Sequence, residues 1–293
     1  MIRTKRLLMS AFIFSLVCSP YANAGNLKAK INSIIKDKRL MVGISALCGN
    51  KKFALNGDKM FPLMSVFKTH VALTVLDKLE RNKISIDTIL HISREQIHEN
   101  TYSPMRDAYP TGDTHLSVRK LIEYSVAESD NNACDILIDF VGGTKMVDRY
   151  IKSLGIKDFD ITQTEDDMHR DLARVYLNRS TPKSMTSLLK VIVKQKGTPQ
   201  NINILLKAMS MASTGSNKIM AALPMGATLH HKTGSSDRIN GVKTADNDAG
   251  VISMPDRNDK LFITVFIMES LESDDTNAKV IAEIARVVIE EFE

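Results

Sequence analysis

The sequence predicts a mixed α/β fold: an antiparallel sheet built from both termini and flanked by helices, with an all-α unit inserted between its halves. Three observations predict it. Strand-like runs, β-branched or alternating, fall at residues 40–55 and again at 228–268. The stretch between them reads as helix after helix, with apolar residues three and four apart. Amphipathic helical patterns also open and close the chain, suited to covering one face of such a sheet. The matching division assigns residues 25–62 and 213–293 to the sheet unit and 63–212 to the helical one. The cleft between them is where a ligand would bind.

Residues 1–24 read as an export signal. Arg3, Lys5 and Arg6 form a positive end, an apolar run from Leu7 to Val17 follows, and Ala22-Asn23-Ala24 supplies the small-x-small cleavage pattern. Cleavage there leaves a chain of 269 residues beginning at Gly25, with no eighteen-residue apolar run, so a soluble periplasmic protein without a membrane anchor is expected. A short helix follows at 29–39, with Ile31, Ile34 and Ile35 on one side. Residues 40–48 and 53–55 form a strand pair broken by Gly49-Asn50, and Asn56-Gly57-Asp58 is a turn. Helical periodicity begins at Ser65 and recurs at 117–128, 131–140, 144–154, 182–194 and 201–211. Residues 159–180 interrupt it with a polar, acidic, aperiodic stretch, too long for a plain connection and expected to be a folded functional loop. Strands are expected at 228–235, 248–253 and 261–268, and Val280, Ile281, Ile284, Val287, Val288 and Phe292 mark a closing helix.

Composition narrows the function. Hydrophobic residues at 43% and charged residues at 25% are ordinary for a globular chain, which excludes a disordered or fibrous one. Aromatics are 5% with no Trp, and the net charge of +5 falls to about +2 once the three leader cations are removed. Neither a base-stacking surface nor a basic footprint for nucleic acid is present. Cys48 and Cys134 lie far apart in sequence and are expected as buried free thiols. No Cys/His cluster has metal spacing, so neither metal nor cofactor is expected.

Three short motifs carry the chemistry. Ser-x-x-Lys at a helix start puts a hydroxyl and an amine on one face, where the amine can assist removal of the serine proton. The pattern occurs at Ser33, Ser65, Ser117, Ser180 and Ser187, so context must choose. Ser65 follows Pro62-Leu63-Met64 and opens a helix, whose free N-terminal amides stabilise developing negative charge. Ser129-Asp130-Asn131 occurs once, between two expected helices, and Lys232-Thr233-Gly234 once, on an expected strand. Either tripeptide alone is a common helix cap or strand end. All three in this order, each in the right kind of element, form a specific signal.

On these residues the chain resembles the class A serine β-lactamases, over essentially its whole mature length. The resemblance implies the serine β-lactamase/penicillin-binding type of fold and hydrolysis of β-lactam amides (EC 3.5.2.6) through an acyl-enzyme, conferring antibiotic resistance. By the same resemblance Ser65 attacks the lactam carbonyl and Lys68 helps deprotonate it. Ser129 passes a proton to the departing nitrogen, and Asn131 hydrogen-bonds the substrate amide. Asp130 is a buried structural carboxylate. Lys232 supplies positive charge near Ser129, Thr233 and Ser235 hydrogen-bond the substrate carboxylate, and Gly234 lets the strand approach the ligand. The oxyanion hole is formed by the backbone amides of Ser65 and Ser235.

Hydrolysis of the ester requires an activated water, and so a carboxylate in the acidic loop. In the family a Glu precedes a matching proline by seventeen residues; counting back from Pro182 reaches Glu165. Asp166 and Asp167 are the neighbouring alternatives. The chain departs from the common E-x-x-L-N pattern with Met168 and His169, a substitution that a subgroup of the family shares, and His169 would hold the water through a ring nitrogen. Arg238 and Lys243 are both candidates for an extra cation facing the substrate carboxylate, and a monomer is expected. Two other functions share part of the signal. A D-Ala-D-Ala peptidase lacks the loop carboxylate, and a β-lactam-binding sensor module stops at the ester and generally carries a membrane anchor.

Overall fold

The computed structural model describes residues 24–194 and 199–292; the expected export signal lies outside them, apart from Ala24. The principal sheet runs Lys51–Leu55, Met41–Cys48, Lys260–Ser270, Val242–Ser253, Thr228–Ser235, every neighbouring pair antiparallel. The N-terminal hairpin thus joins three C-terminal strands, the assembly that the strand-like runs at the two ends predict. Alternation divides the sheet between two cores. Ile263, Val265 and Ile267 face one side, where they meet the helix Ala24–Ile35 through Leu27 and Ile31 and the helix Asp274–Phe292 through Ile281, Ile284 and Val288. Phe262 and Phe266 face the other, packing with Phe61, Leu188 of the helix Pro182–Lys194 and Val71 of the helix Lys68–Arg81.

The strand Val242–Ser253 begins six residues earlier than its sequence suggests, because Asp246 and Asn247 carry no strand signal yet are buried in the sheet beside Asp248. Each has its own partner. Asp246 accepts from Lys218 Nζ (2.5 Å), and Asp248 accepts from the Ile219 amide and pairs with His231 Nδ1 (2.8 Å). Asn247 Nδ2 donates to Pro62 O and Leu63 O (2.7 and 3.1 Å), anchoring the segment before Ser65 to the sheet.

The middle of the chain is helical but not wholly so, a correction to the all-α expectation. A hairpin of Ile89–Ile92 with Thr114–Ser117 interrupts it, each strand only four residues long and too short to show an alternation. The expected helix at 117–128 changes to a π-helical turn at Glu123–Ala127. The acidic loop is closed at its base by Phe159–Asp160 pairing with Arg179–Ser180, which also pairs with Phe61–Pro62. Buried Asn178 staples this closure. Its Oδ1 accepts from the Thr162 and Gln163 amides, its Nδ2 donates to Gln163 O, and its carbonyl accepts from the Leu63 amide. Among the described residues no helix is long and apolar enough to cross a membrane. Cys48 and Cys134 are both free and buried.

Candidate active site

Ser65 stands in a 3₁₀ turn, Met64–Phe67, that runs directly into the helix Lys68–Arg81. The helix forms because Val71, Val75 and Leu79 make a buried stripe, while Lys78 and Arg81 lie in its last turn near the negative end of the dipole. Met64 enters the turn at φ +46° and Ser129 has φ +60°, left-handed conformations that non-glycine residues rarely adopt. Backbone strain is thus concentrated on both sides of the Ser65 hydroxyl. Asp130 caps the helix Asn131–Val141 by accepting from the Ala133 amide (2.8 Å), and it also accepts from Ser103 Oγ and the Met105 amide. Burial pushes its carboxyl up. Its part is to hold Ser129 and Asn131 in place from behind.

Lys68 is the hub of the site and is fully buried. Its ammonium donates to Ser65 Oγ (2.9 Å), Ser129 O (2.7 Å) and Asn131 Oδ1 (2.5 Å). An ammonium has three hydrogens, and all three are now used. Glu165 Oε1 lies 2.9 Å from the same nitrogen yet has no hydrogen-bond partner. The contact is a close ion pair that places the Glu165 carboxylate beside the Lys68 ammonium.

Lys232 projects from the strand Thr228–Ser235 and donates to Ser129 Oγ (2.9 Å) and Thr233 O (3.0 Å). Burial first, and then the Lys68 charge, push its ammonium well below the usual lysine range. Gly234 is required by close packing. A Cβ there would lie 2.4 Å from Leu63 O and 3.0 Å from the Ser65 and Val66 amides. Thr233 Oγ1 is 2.6 Å from Thr214 Oγ1, and Ser235 Oγ donates to Asp246 Oδ1 (3.2 Å).

The helix Glu165–Arg170 positions the acidic cluster. Thr164 and Asp167 form a reciprocal capping box at its start, so Asp167 is occupied structurally. Asp166 pairs with Arg170 (2.8 Å) and His98 (3.4 Å). Of the three acids only Glu165 turns toward Ser65 and Lys68. Asp135 holds it there, accepting from the Glu165 and Asp166 amides (2.7 and 2.9 Å). His169 lines the same cleft, exposed and with no protein partner among the described residues.

Asp135 makes the site's stability sensitive to pH. Burial and the Glu165 charge push its carboxyl up to about 7. Between about pH 4 and pH 7 the folded protein keeps a proton that the unfolded chain has lost, so stability falls as pH rises across that window. Asp135→Asn should remove this part of the slope. Thermal midpoints of both proteins at about pH 5 and pH 7.5 measure it, and unchanged slopes would refute the assignment.

The cleft encloses about 620 Å³ and brings together Ser65, Ser129, Asn131, Glu165, His169 and the Thr233–Ser235 segment. Arg238 and Lys243 do not line it; both pair with Asp274 (2.6 and 2.9 Å). Lys218 does line it, held by Asp246 and by Asn247 O (3.3 Å). No motif marks Lys218 in the sequence; its only local signal is a lone cation in the polar stretch before the strand. Among the described residues no group of three or more His, Cys, Asp or Glu could hold a metal ion.

Known proteins resemble this chain over nearly all of the described residues. The model of the β-lactamase enzyme family matches residues 26–292. A β-lactamase of Bacteroides uniformis is 43% identical over 266 residues, covering 89% of this chain and 90% of its own. The extended-spectrum β-lactamase PER-1 of Pseudomonas aeruginosa is 34% identical over 263 residues, covering 89% of this chain and 85% of its own. The crystal structure of a class A β-lactamase from Bacteroides cellulosilyticus superposes with a TM-score of 0.87 at 42% identity, over 91% of this chain and 97% of its own.

Proposed function

Since the chain belongs to the β-lactamase enzyme family, among its class A members, we propose that it opens β-lactam rings through an ester on Ser65 and frees the product with a water activated by Glu165. Hydrolysis of β-lactams follows from that membership. The observation that supports this route is the arrangement around Lys68, whose ammonium meets Ser65 Oγ, Ser129 O and Asn131 Oδ1 and pairs with Glu165 Oε1 at 2.9 Å.

In acylation Glu165 takes a proton from the adjacent Lys68 ammonium, so that Lys68 can accept the Ser65 Oγ proton as that oxygen bonds to the lactam carbonyl carbon. The negative carbonyl oxygen is met by the Ser65 and Ser235 amides, each such donor contributing roughly 10²–10³ in rate. As the ring C–N bond breaks, Ser129 Oγ protonates the nitrogen with support from the Lys232 ammonium, and is reprotonated by Lys68, which recovers its proton from Glu165 and so restores that carboxylate. The substrate carboxylate lies against Thr233 and Ser235, and the Lys218–Asp246 pair, rather than Arg238 or Lys243, lines the cleft with them. In deacylation Glu165 takes a proton from water, hydroxide attacks the ester, and Ser65 leaves reprotonated. His169 orients that water from the cleft wall.

PER-1 is named an extended-spectrum enzyme. The cleft here is bounded by Leu172 and Val175 of the acidic loop on one side and by Ser236, Asp237 and Ile239 on the other. The likeness to PER-1 is the ground for placing extended-spectrum substrates within the proposed range. Export to the periplasm as a monomer completes the reading, supported by the charged, apolar and small-residue order of residues 1–24. Mixing with a chromogenic cephalosporin tests it. Product should continue to accumulate far beyond one equivalent per enzyme, whereas one equivalent followed by silence would identify a sensor.

A further inference from the structure

We propose that Thr101 is a positioning residue for substrate recognition: its hydroxyl fixes the plane of the Asn131 amide and thereby sets a preference for β-lactams carrying an acylamino side chain. The inference rests on the β-lactamase reading and adds to it a residue outside the three motifs.

Lys68 can only donate, and it meets Asn131 at 2.5 Å. Asn131 must therefore turn its oxygen inward to Lys68 and its NH₂ outward. One of those two hydrogens goes to Thr101 Oγ1, 2.7 Å away. An amide torsion of this kind is broad and nearly two-fold when one end alone is held. With the oxygen bound on one side and one N–H on the other, the plane is determined, and so is the direction of the remaining N–H. Both Asn131 and Thr101 line the cleft, and the free N–H is the donor that an acylamino carbonyl requires.

Thr101 is itself held in advance of any ligand. Its carbonyl accepts from Arg106 Nη1 (2.8 Å), and the same nitrogen binds Glu99 O (2.5 Å). Tyr102 O accepts from the Asn131 amide (3.1 Å). The Asn132 side chain closes a pair of bonds with the His98 backbone (2.8 and 3.1 Å). Residues 98–102 are thus strapped to the start of the Asn131–Val141 helix, and the hydroxyl is a preset partner. The ordering cost is met on folding and does not recur at each binding event.

Benzylpenicillin, which has the acylamino group, and 6-aminopenicillanic acid, which has a bare amine there, separate this role from a merely structural one. Thr101→Val keeps the shape and removes the hydroxyl. It should lower kcat/KM for benzylpenicillin about threefold to tenfold, as loss of one net hydrogen bond implies, and change 6-aminopenicillanic acid by less than about twofold. Thr101→Ser should restore benzylpenicillin to within about twofold of the parent. In an Asn131→Ala background, Thr101→Val should have no further effect. Thr101→Ala carries the same expectation where the valine variant does not fold. Equal losses on both substrates, no loss on benzylpenicillin, or failure of serine to rescue would each overturn the proposal. A parent enzyme inactive toward both substrates would instead overturn the β-lactamase reading itself.

Discussion

Ser65→Ala is expected to lower β-lactam hydrolysis by at least about 10⁴-fold, with no covalent adduct detectable by mass spectrometry. Removal of a serine nucleophile costs on the order of 10⁶ in a comparable triad hydrolase. No second hydroxyl can substitute. Ser129 Oγ accepts from the Lys232 ammonium, and its backbone is held in a left-handed conformation by the Asp130 cap. The variant should fold normally, since Ser65 is only half-buried and Lys68 keeps its bonds to Ser129 O and Asn131 Oδ1. Undiminished turnover would remove Ser65 from the reaction and with it the geometric reading of the cleft.

Glu165→Ala should separate the two halves of the reaction. Acylation continues, slowed less than deacylation because Lys68 remains to take the Ser65 proton, so the ester accumulates, with deacylation slowed about 10²- to 10⁴-fold, the usual contribution of a positioned general base. The covalent adduct should be visible by mass spectrometry within a single turnover. The substitution also strips a buried ammonium of its nearby counter-charge, which by itself is destabilising. Glu165→Gln retains the volume and removes only the basicity, and should stall the ester equally. Normal turnover with no adduct would transfer the base to Asp166 or Asp167. Both have other duties: Asp166 holds Arg170 and His98, and Asp167 closes the capping box.

The helical middle shows how far the sequence can be read. Val71, Val75 and Leu79 announce their helix because the 3.6-residue period is a property of neighbouring residues. The strand Val242–Ser253 hides its first half, because Asp246, Asn247 and Asp248 are tolerated in a sheet only through partners far along the chain: Lys218, Pro62, Leu63 and His231. The hairpin at Ile89–Ile92 and Thr114–Ser117 is hidden because each strand is only four residues long, too short to establish a period against the surrounding helices. Lys218 illustrates the limit within the site. Arg238 and Lys243 lie nearer to the Lys232 motif in sequence, but Asp274 draws both away from the cleft.

By itself the sequence determined the order of strands and helices, the two-ended sheet and the candidate nucleophile, because periodicity, capping and residue spacing act over a few covalent neighbours. Tertiary structure alone decided the duties of Asp166 and Asp167, the presence of Lys218 in the cleft and the Thr101 partner of Asn131. Those choices depend on electrostatic and hydrogen-bond partners contributed by separate segments. Partners of that kind meet only after burial has forced every charged or polar group to find one.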